Sequence, residues 1–165
     1  MKQVTIYTDG GARGNPGPGG FGAILLFGRH RKELKGAFEH TTNNRMELLA
    51  AISALELLNE PCKITLHSDS KYLIDTMTKN WLRGWKSRGW VKADRQAVLN
   101  RDLWQRLDQT TAGHSITWKW VKGHAGNPLN ERCDELVHEA INAGKFLVDQ
   151  GYLDSKEQSL FETDN

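Results

Sequence analysis

The opening segment Met1-Lys2-Gln3-Val4-Thr5-Ile6-Tyr7-Thr8-Asp9 alternates apolar and polar side chains around Val4 and Ile6, the period of a strand with one buried face. It ends on a carboxylate, and glycines follow at once. The run Gly10–Gly20, which also carries Pro16 and Pro18, reads as a turn. Phe21–Phe27 and Leu34–His40 read as two more strands, joined by a basic turn at Arg29, His30 and Arg31. Three strands with short links predict an antiparallel meander.

Beyond the meander the pattern turns helical. Asn44 is placed as a helix cap with Glu47 three residues on, and Leu48, Leu49, Ile52, Leu55 and Leu58 follow at helical spacing. Lys63–Ser68 reads as a strand, with a helix from about Ser70. Leu99–Leu107 reads as a helix and Ser115–Val121 as a strand. Asn127 and Pro128, as cap and first helical residue, open a last helix. The predicted order is βββαβα(α)αβα, an α/β domain over residues 1–143. Residues 144–165 are predicted to be an acidic, partly mobile tail with Leu147, Val148, Tyr152, Leu153, Leu160 and Phe161 as its anchors.

A chain of 165 residues suits one domain with a substantial core. The net charge of +2 hides an asymmetry: residues 147–165 hold five acids against Lys156. The preceding body carries 21 basic and 15 acidic residues, a balance that suits a polyanionic partner. No apolar run approaches the roughly 18 residues of a membrane span, and the first strand lacks an apolar leader core, so a cytoplasmic protein is expected. Cys62 and Cys133 are expected as reduced, half-buried thiols; without CxxC spacing they offer no zinc site.

Four acids fall where predicted elements converge. Asp9 ends the first strand and Asp69 the fourth. Glu47 lies in a first helical turn whose i+3, i+4 and i+7 neighbours are Ala50, Ala51 and Ala54, small enough to let that face approach the sheet. Asp134 sits mid-helix beside Cys133, Leu136 and Val137. Each has a purely structural alternative: a capping box for Glu47, a helix cap for Asp69, a turn opener for Asp9, a pair with His138 for Asp134. Together they form an oxygen-only set, which suits hard cations such as Mg2+ or Mn2+. Paired ions of that kind serve phosphodiester cleavage. His124, between Gly123 and Gly126, is placed to shuttle a proton, with a surface-loop role as the alternative.

From Lys79 to Arg101 seven basic residues meet only Asp94, and Trp81, Trp85 and Trp90 are interleaved with Arg83, Lys86 and Arg88. Cations beside aromatic platforms suit a nucleic-acid backbone. Trp81 is weighed evenly between core and surface, and Trp85 is placed more to the surface. Asn15, Thr42, Asn43 and Asn44 are uncharged hydrogen-bonders that serve either turns and caps or a nucleic acid.

Seven segments in register resemble bacterial ribonuclease H of the type 1 class. They are Tyr7–Gly10, Gly14–Gly19, Thr41–Glu47, Ser68–Ser70, Asp102–Trp104, Trp120–Gly126 and Asn130–Asp134. The resemblance implies a five-stranded mixed sheet flanked by helices, and an endonuclease that cuts the RNA strand of RNA–DNA hybrids. It implies Asp9, Glu47, Asp69 and Asp134 as ligands of two Mg2+ ions, with Mn2+ able to substitute, and His124 as the loop histidine. It also implies a basic protrusion, about residues 79–101, gripping the DNA strand. Asn15 and Thr42 would hold a phosphate, and Asn43 and Asn44 would touch the minor groove. The expected state is a monomer.

The chain departs from that pattern at Lys71, where relatives often carry a minor-groove glutamine, so a phosphate contact is the alternative. Gly11 replaces a usual Ser or Ala, and the 71–80 stretch is one residue longer. A non-catalytic hybrid-binding module and another nuclease of the same fold are the competing readings; the first predicts loss of an acid, and all four are present.

Overall fold

The computed structural model describes residues 1–163, with side chains through Ser159. Along the chain run β1 (Lys2–Ala12), β2 (Gly17–Phe27), β3 (His30–Thr41), α1 (Asn43–Glu56), β4 (Cys62–Ser68), α2 (Lys71–Thr78) and α3 (Trp81–Ser87). They are followed by α4 (Arg101–Thr111), β5 (Ser115–Trp120), α5 (Pro128–Ala143) and α6 (Gln150–Thr163). The five strands form one mixed sheet in the order β3-β2-β1-β4-β5. β1 to β3 are the antiparallel meander, while β4 pairs parallel with β1 and β5 parallel with β4. A parallel partner needs a crossover, which α2 to α4 supply between β4 and β5.

The first two strands extend past their predicted ends. The glycine-rich run is largely ladder rather than turn: Gly11 pairs with Gly20 and Ala12 with Gly19. Glycine is needed because helices press on the sheet there. A Cβ on Gly10 would strike the Met46 and Glu47 backbone, and one on Gly22 would stand 2.6 Å from the Cys133 carbonyl oxygen.

α1 packs on β1 and β2 and is backed by α4, while α5 covers the opposite face. Met46, Leu48, Ile52 and Leu55 of α1 and Trp104 and Leu107 of α4 are buried. Burial of each such aliphatic side chain stabilises the fold by about 1.5–3 kcal/mol. Cys62 lies in this larger core and Cys133 in the smaller one under α5 with Ile24 and Leu136. Both thiols are free and fully buried rather than half-buried, separated by the sheet.

Two further sequence expectations need correction. The cap of α1 is Thr42, in extended backbone, whose Oγ1 accepts from Arg45 N–H at 3.3 Å; Asn44 lies inside the helix. And packing continues past the predicted boundary at residue 143. Leu147 adds a parallel bridge to β3 at Phe38, with Leu147 N–H donating to Ala37 and Glu39 N–H to Leu147, both at 2.9 Å. Asp149 and Tyr152 are buried, and the unanticipated α6 follows. The side chains of Leu160 and Phe161, and all of Asp164 and Asn165, lie outside the described residues. Among the described residues, no helix is long and apolar enough to cross a membrane.

Candidate active site

β1 and β4 are parallel neighbours, with Thr8 opposite Ser68, so Asp9 and Asp69 leave the same sheet edge side by side. The close approach at Gly10 brings the first turns of α1 onto that edge and carries Glu47 with it. Carboxylate oxygens of Asp9, Glu47 and Asp69 lie within 4.8 Å of one another. The alanines below Glu47 are fully buried, as its approach to the sheet requires.

The structural alternatives for two acids fall away. Ser70, not Asp69, caps α2, its Oγ accepting from Leu73 N–H at 3.2 Å. Glu47 stands five positions beyond the Thr42 cap, outside any capping box. Asp9 does accept from Gly10 N–H at 2.9 Å, as a turn opener would. Asp134 stands apart from the close trio but lines the same cleft, and its Oδ1 lies 3.6 Å from His138 Nε2. Its helix starts as expected, with Asn127 Oδ1 accepting from Leu129 and Asn130 N–H at 3.1 Å.

The trio is electrostatically loaded. Burial first, then the Asp69 charge, pushes Asp9 up to about 7. Burial and the charges of Asp9 and Asp69 push Glu47 well above its usual range. Burial also raises Asp69, opposed in part by His124. Two like charges about 4 Å apart repel by about 4 kcal/mol at an effective dielectric constant of about 20. Glu47 Oε2 is buried without a hydrogen-bond partner. A divalent cation would satisfy both conditions, with Glu47 offering its stranded oxygen and the three carboxylates having their mutual repulsion neutralised. The donor set, all carboxylate, fits Mg2+ or Mn2+.

The cleft has a volume of about 510 Å3, and its lining also includes Arg13, Asn43, Asn44, Lys71, Tyr72 and His124. His124 is exposed at φ +56, in the loop between β5 and α5. Asn43 and Asn15 serve the turn reading with their oxygens: Ala12 N–H donates to Asn43 Oδ1 at 2.6 Å and Asn43 N–H to Asn15 Oδ1 at 2.9 Å. Thr42 and Asn15 border the cleft without lining it.

A second groove of about 600 Å3 opens beside it, lined by Trp81, Trp85, Arg88, Asn80 and Lys92. Tyr72 lines both and so joins them. Its hydroxyl accepts from Asn100 and from the Trp104 indole, each at 3.0 Å. Nothing in the sequence marked Tyr72, because its position depends on where α2 crosses the cleft. The tryptophans reverse their predicted ranking: Trp81 is 45% exposed, whereas Trp85 packs edge-on against Trp104. Asn80, in left-handed conformation, breaks the helix between α2 and α3 and rotates the i, i+4 pair relative to the core. Trp90 also packs on the core, Lys86 pairs with Asp108 at 2.9 Å, and Arg83 is exposed outside both grooves.

A mixed sheet with carboxylates gathered where β1 and β4 end defines an α/β protein with a cleft suited to divalent metal. The ribonuclease H family model matches residues 1–142. A ribonuclease H of Aeromonas hydrophila is 56% identical over 152 residues, 92% of this chain and 98% of that protein. A ribonuclease HI of Caulobacter vibrioides is 59% identical over 139 residues, 84% of this chain and 93% of its own. Among solved structures, LC9-RNase H1, a type 1 RNase H with the type 2 active-site motif, is similar at TM-score 0.78 and 32% identity, over 93% of this chain and 80% of that one. LC11-RNase H1 in complex with RNA/DNA hybrid is similar at TM-score 0.64 and 26% identity, over 86% and 98% of the two chains. The chain belongs to the ribonuclease H family, in its type 1 class.

Proposed function

We propose that this chain is an endonuclease that hydrolyses the RNA strand of RNA–DNA hybrids, working with two Mg2+ ions for which Mn2+ can substitute. The observation that carries the reading is the buried trio Asp9, Glu47 and Asp69, with its unpartnered Glu47 oxygen. The relatives named ribonuclease H, and the similar LC11-RNase H1 seen with an RNA/DNA hybrid, supply the substrate class.

Asp9, Glu47, Asp69 and Asp134 would hold the ions. Bound there, such ions stabilise charge at the phosphodiester and acidify a water molecule. His124, exposed on the loop beside the trio, takes a proton from the attacking water or helps product leave. The water oxygen bonds to phosphorus as the P–O3′ bond breaks in line, leaving a 3′-hydroxyl and a 5′-phosphate. Asn15, Thr42, Asn43 and Asn44 bind beside the acids through amide and hydroxyl donors. The Trp81 groove with Arg88 receives the DNA strand; Arg83, Lys86 and Trp90 contribute charge and support around it. The protein acts as a cytoplasmic monomer, in keeping with two free cysteines.

The test is an end-labelled hybrid incubated with Mg2+ and with EDTA, beside single-stranded RNA, double-stranded RNA and double-stranded DNA. Metal-dependent cutting of the hybrid's RNA alone is expected, and Asp69→Asn should abolish it while retaining binding. Cutting of duplex DNA, or binding of the hybrid without cutting, would overturn the reading.

A further inference from the structure

Trp120 closes β5 opposite Ser68, at the rim of the cleft, and stays 44% exposed. Two of its groups are engaged at once. The indole Nε1–H donates to the Asp69 carbonyl at 3.1 Å, and the ring face carries Lys71 Nζ at 5.0 Å from its centroid. The next residue, Val121, donates its N–H to the Ser68 carbonyl at 2.9 Å. Two residues further on, Gly123 lies so close that an added Cβ would stand 2.9 Å from Asp69 Oδ2. The strand end Trp120–Gly123 thus brackets Asp69 from its backbone and from its carboxylate.

Lys71 is the informative partner. It begins α2 two residues after Asp69 and lines a cleft that holds four acids, yet among the described residues it forms no ion pair. A lysine turned onto the trio would neutralise it and compete with a cation. The indole face offers the ammonium a different attraction and keeps it at the rim. The cleft's arginine is occupied, since Arg13 donates to Asn142 Oδ1 at 2.7 Å and lies beside His138. Lys71 is therefore a cation held ready, with its charge unspent on a carboxylate.

We propose that Trp120 is a positioning residue with two separable effects: its ring holds the Lys71 ammonium as a contact for a substrate backbone phosphate, and its indole N–H fixes the Asp69 backbone that carries the metal-facing carboxylate. The proposal rests on the hybrid-nuclease reading for the identity of the phosphate donor. It deepens that reading by assigning a residue that the acid cluster alone does not reveal.

The full chain and three variants, Lys71→Gln, Trp120→Phe and Trp120→Ala, separate the two effects. Binding of a labelled RNA–DNA hybrid is followed by anisotropy in EDTA across a KCl series, and Mn2+ binding by calorimetry without nucleic acid. Thermal melts confirm that each variant folds. One lost phosphate contact lowers the slope of log K against log[KCl] by about 0.7–0.9. Lys71→Gln should show that loss and keep wild-type Mn2+ affinity. Trp120→Phe should keep the salt slope and lose roughly tenfold in Mn2+ affinity, the scale of an outer-shell partner. Trp120→Ala should show both losses. An unchanged slope in Lys71→Gln, or wild-type Mn2+ affinity in both Trp120 variants, would overturn the proposal. Failure of the wild-type chain to cleave the hybrid with Mg2+ would instead overturn the hybrid-nuclease reading, so the two failures are distinguishable.

Discussion

Arg45 donates from Nε to Asp149 Oδ2 at 2.8 Å and from Nη2 to Asp149 Oδ1 at 3.0 Å, a two-pronged ion pair in which the arginine is 1% exposed. Asp102 takes the remaining side of the guanidinium, with Nη1 and Nη2 donating at 2.8 and 2.7 Å. Thr41 Oγ1 donates to Asp149 at 2.7 Å. The pair thus ties the C-terminal segment to the first turn of α1, which carries Asn43 and Asn44 and leads into Glu47. Asp149→Ala leaves a buried cation half-partnered. The expected cost is about 3 kcal/mol, a fall in Tm of roughly 6–12 °C. Arg106→Ala, which breaks a surface pair with Glu56, should cost less than about 1 kcal/mol. Equal melting shifts in the two variants would show that the tail pairing carries no special stability.

Metal-free stability should depend on pH through the acid trio. Asp9 titrates at about 7 in the folded protein against 3.8 for an ordinary Asp. Between these values the native state holds a proton that the unfolded chain has released, so stability falls as pH rises through that window. His67, lowered by burial, acts oppositely as pH falls below 6.5, and Glu33, held down to about 2 mainly by Arg132, matters only in acid. Asp9→Asn isolates the trio's share. In EDTA, wild type should lose on the order of 2–4 kcal/mol more than Asp9→Asn between pH 5 and about 8.5. Mg2+ should restore it at the higher pH. Parallel pH curves for the two proteins would contradict the assignment.

The two groove tryptophans should separate by phenotype. Trp85→Ala removes an edge-on partner of Trp104 and should destabilise by about 2–3 kcal/mol. Trp81→Ala, at an exposed site, should change the unfolding free energy by no more than about 0.5 kcal/mol. It should weaken hybrid binding by roughly 5- to 150-fold, the range for loss of one stacking platform. Denaturant titration and anisotropy check both, and wild-type affinity in Trp81→Ala would remove the groove from the binding surface.

His124→Ala should slow turnover without abolishing it, because in the proposed mechanism the histidine would only assist proton movement while the four acids remain in place. Single-turnover and steady-state rates with Mg2+ distinguish the step concerned. Complete inactivity in a folded variant would make His124 indispensable rather than assisting.

Much of this was legible from local pattern. Alternation around Val4 and Ile6 marked β1, the capped run Asn127–Pro128 marked α5, and the acids at strand ends pointed to a shared edge. The glycine-rich run misled because glycine signals both a turn and a strand pressed by a helix. Only the contact with Met46 and Glu47 tells which. The cap of α1 moved to Thr42 because backbone conformation, not side-chain type, selects among adjacent Thr and Asn residues.

What the sequence determined by itself was the order of elements through α5 and the placement of Asp9 and Asp69 at strand ends, since each depends on periodicity or on residues at element ends. Tertiary structure alone decided that three of those acids form a close trio while Asp134 stands off, that Trp85 and not Trp81 turns inward, and that Asp149 reaches back to Arg45. Those outcomes depend on distances between segments far apart in the chain, which helix packing on the sheet sets and local spacing does not encode.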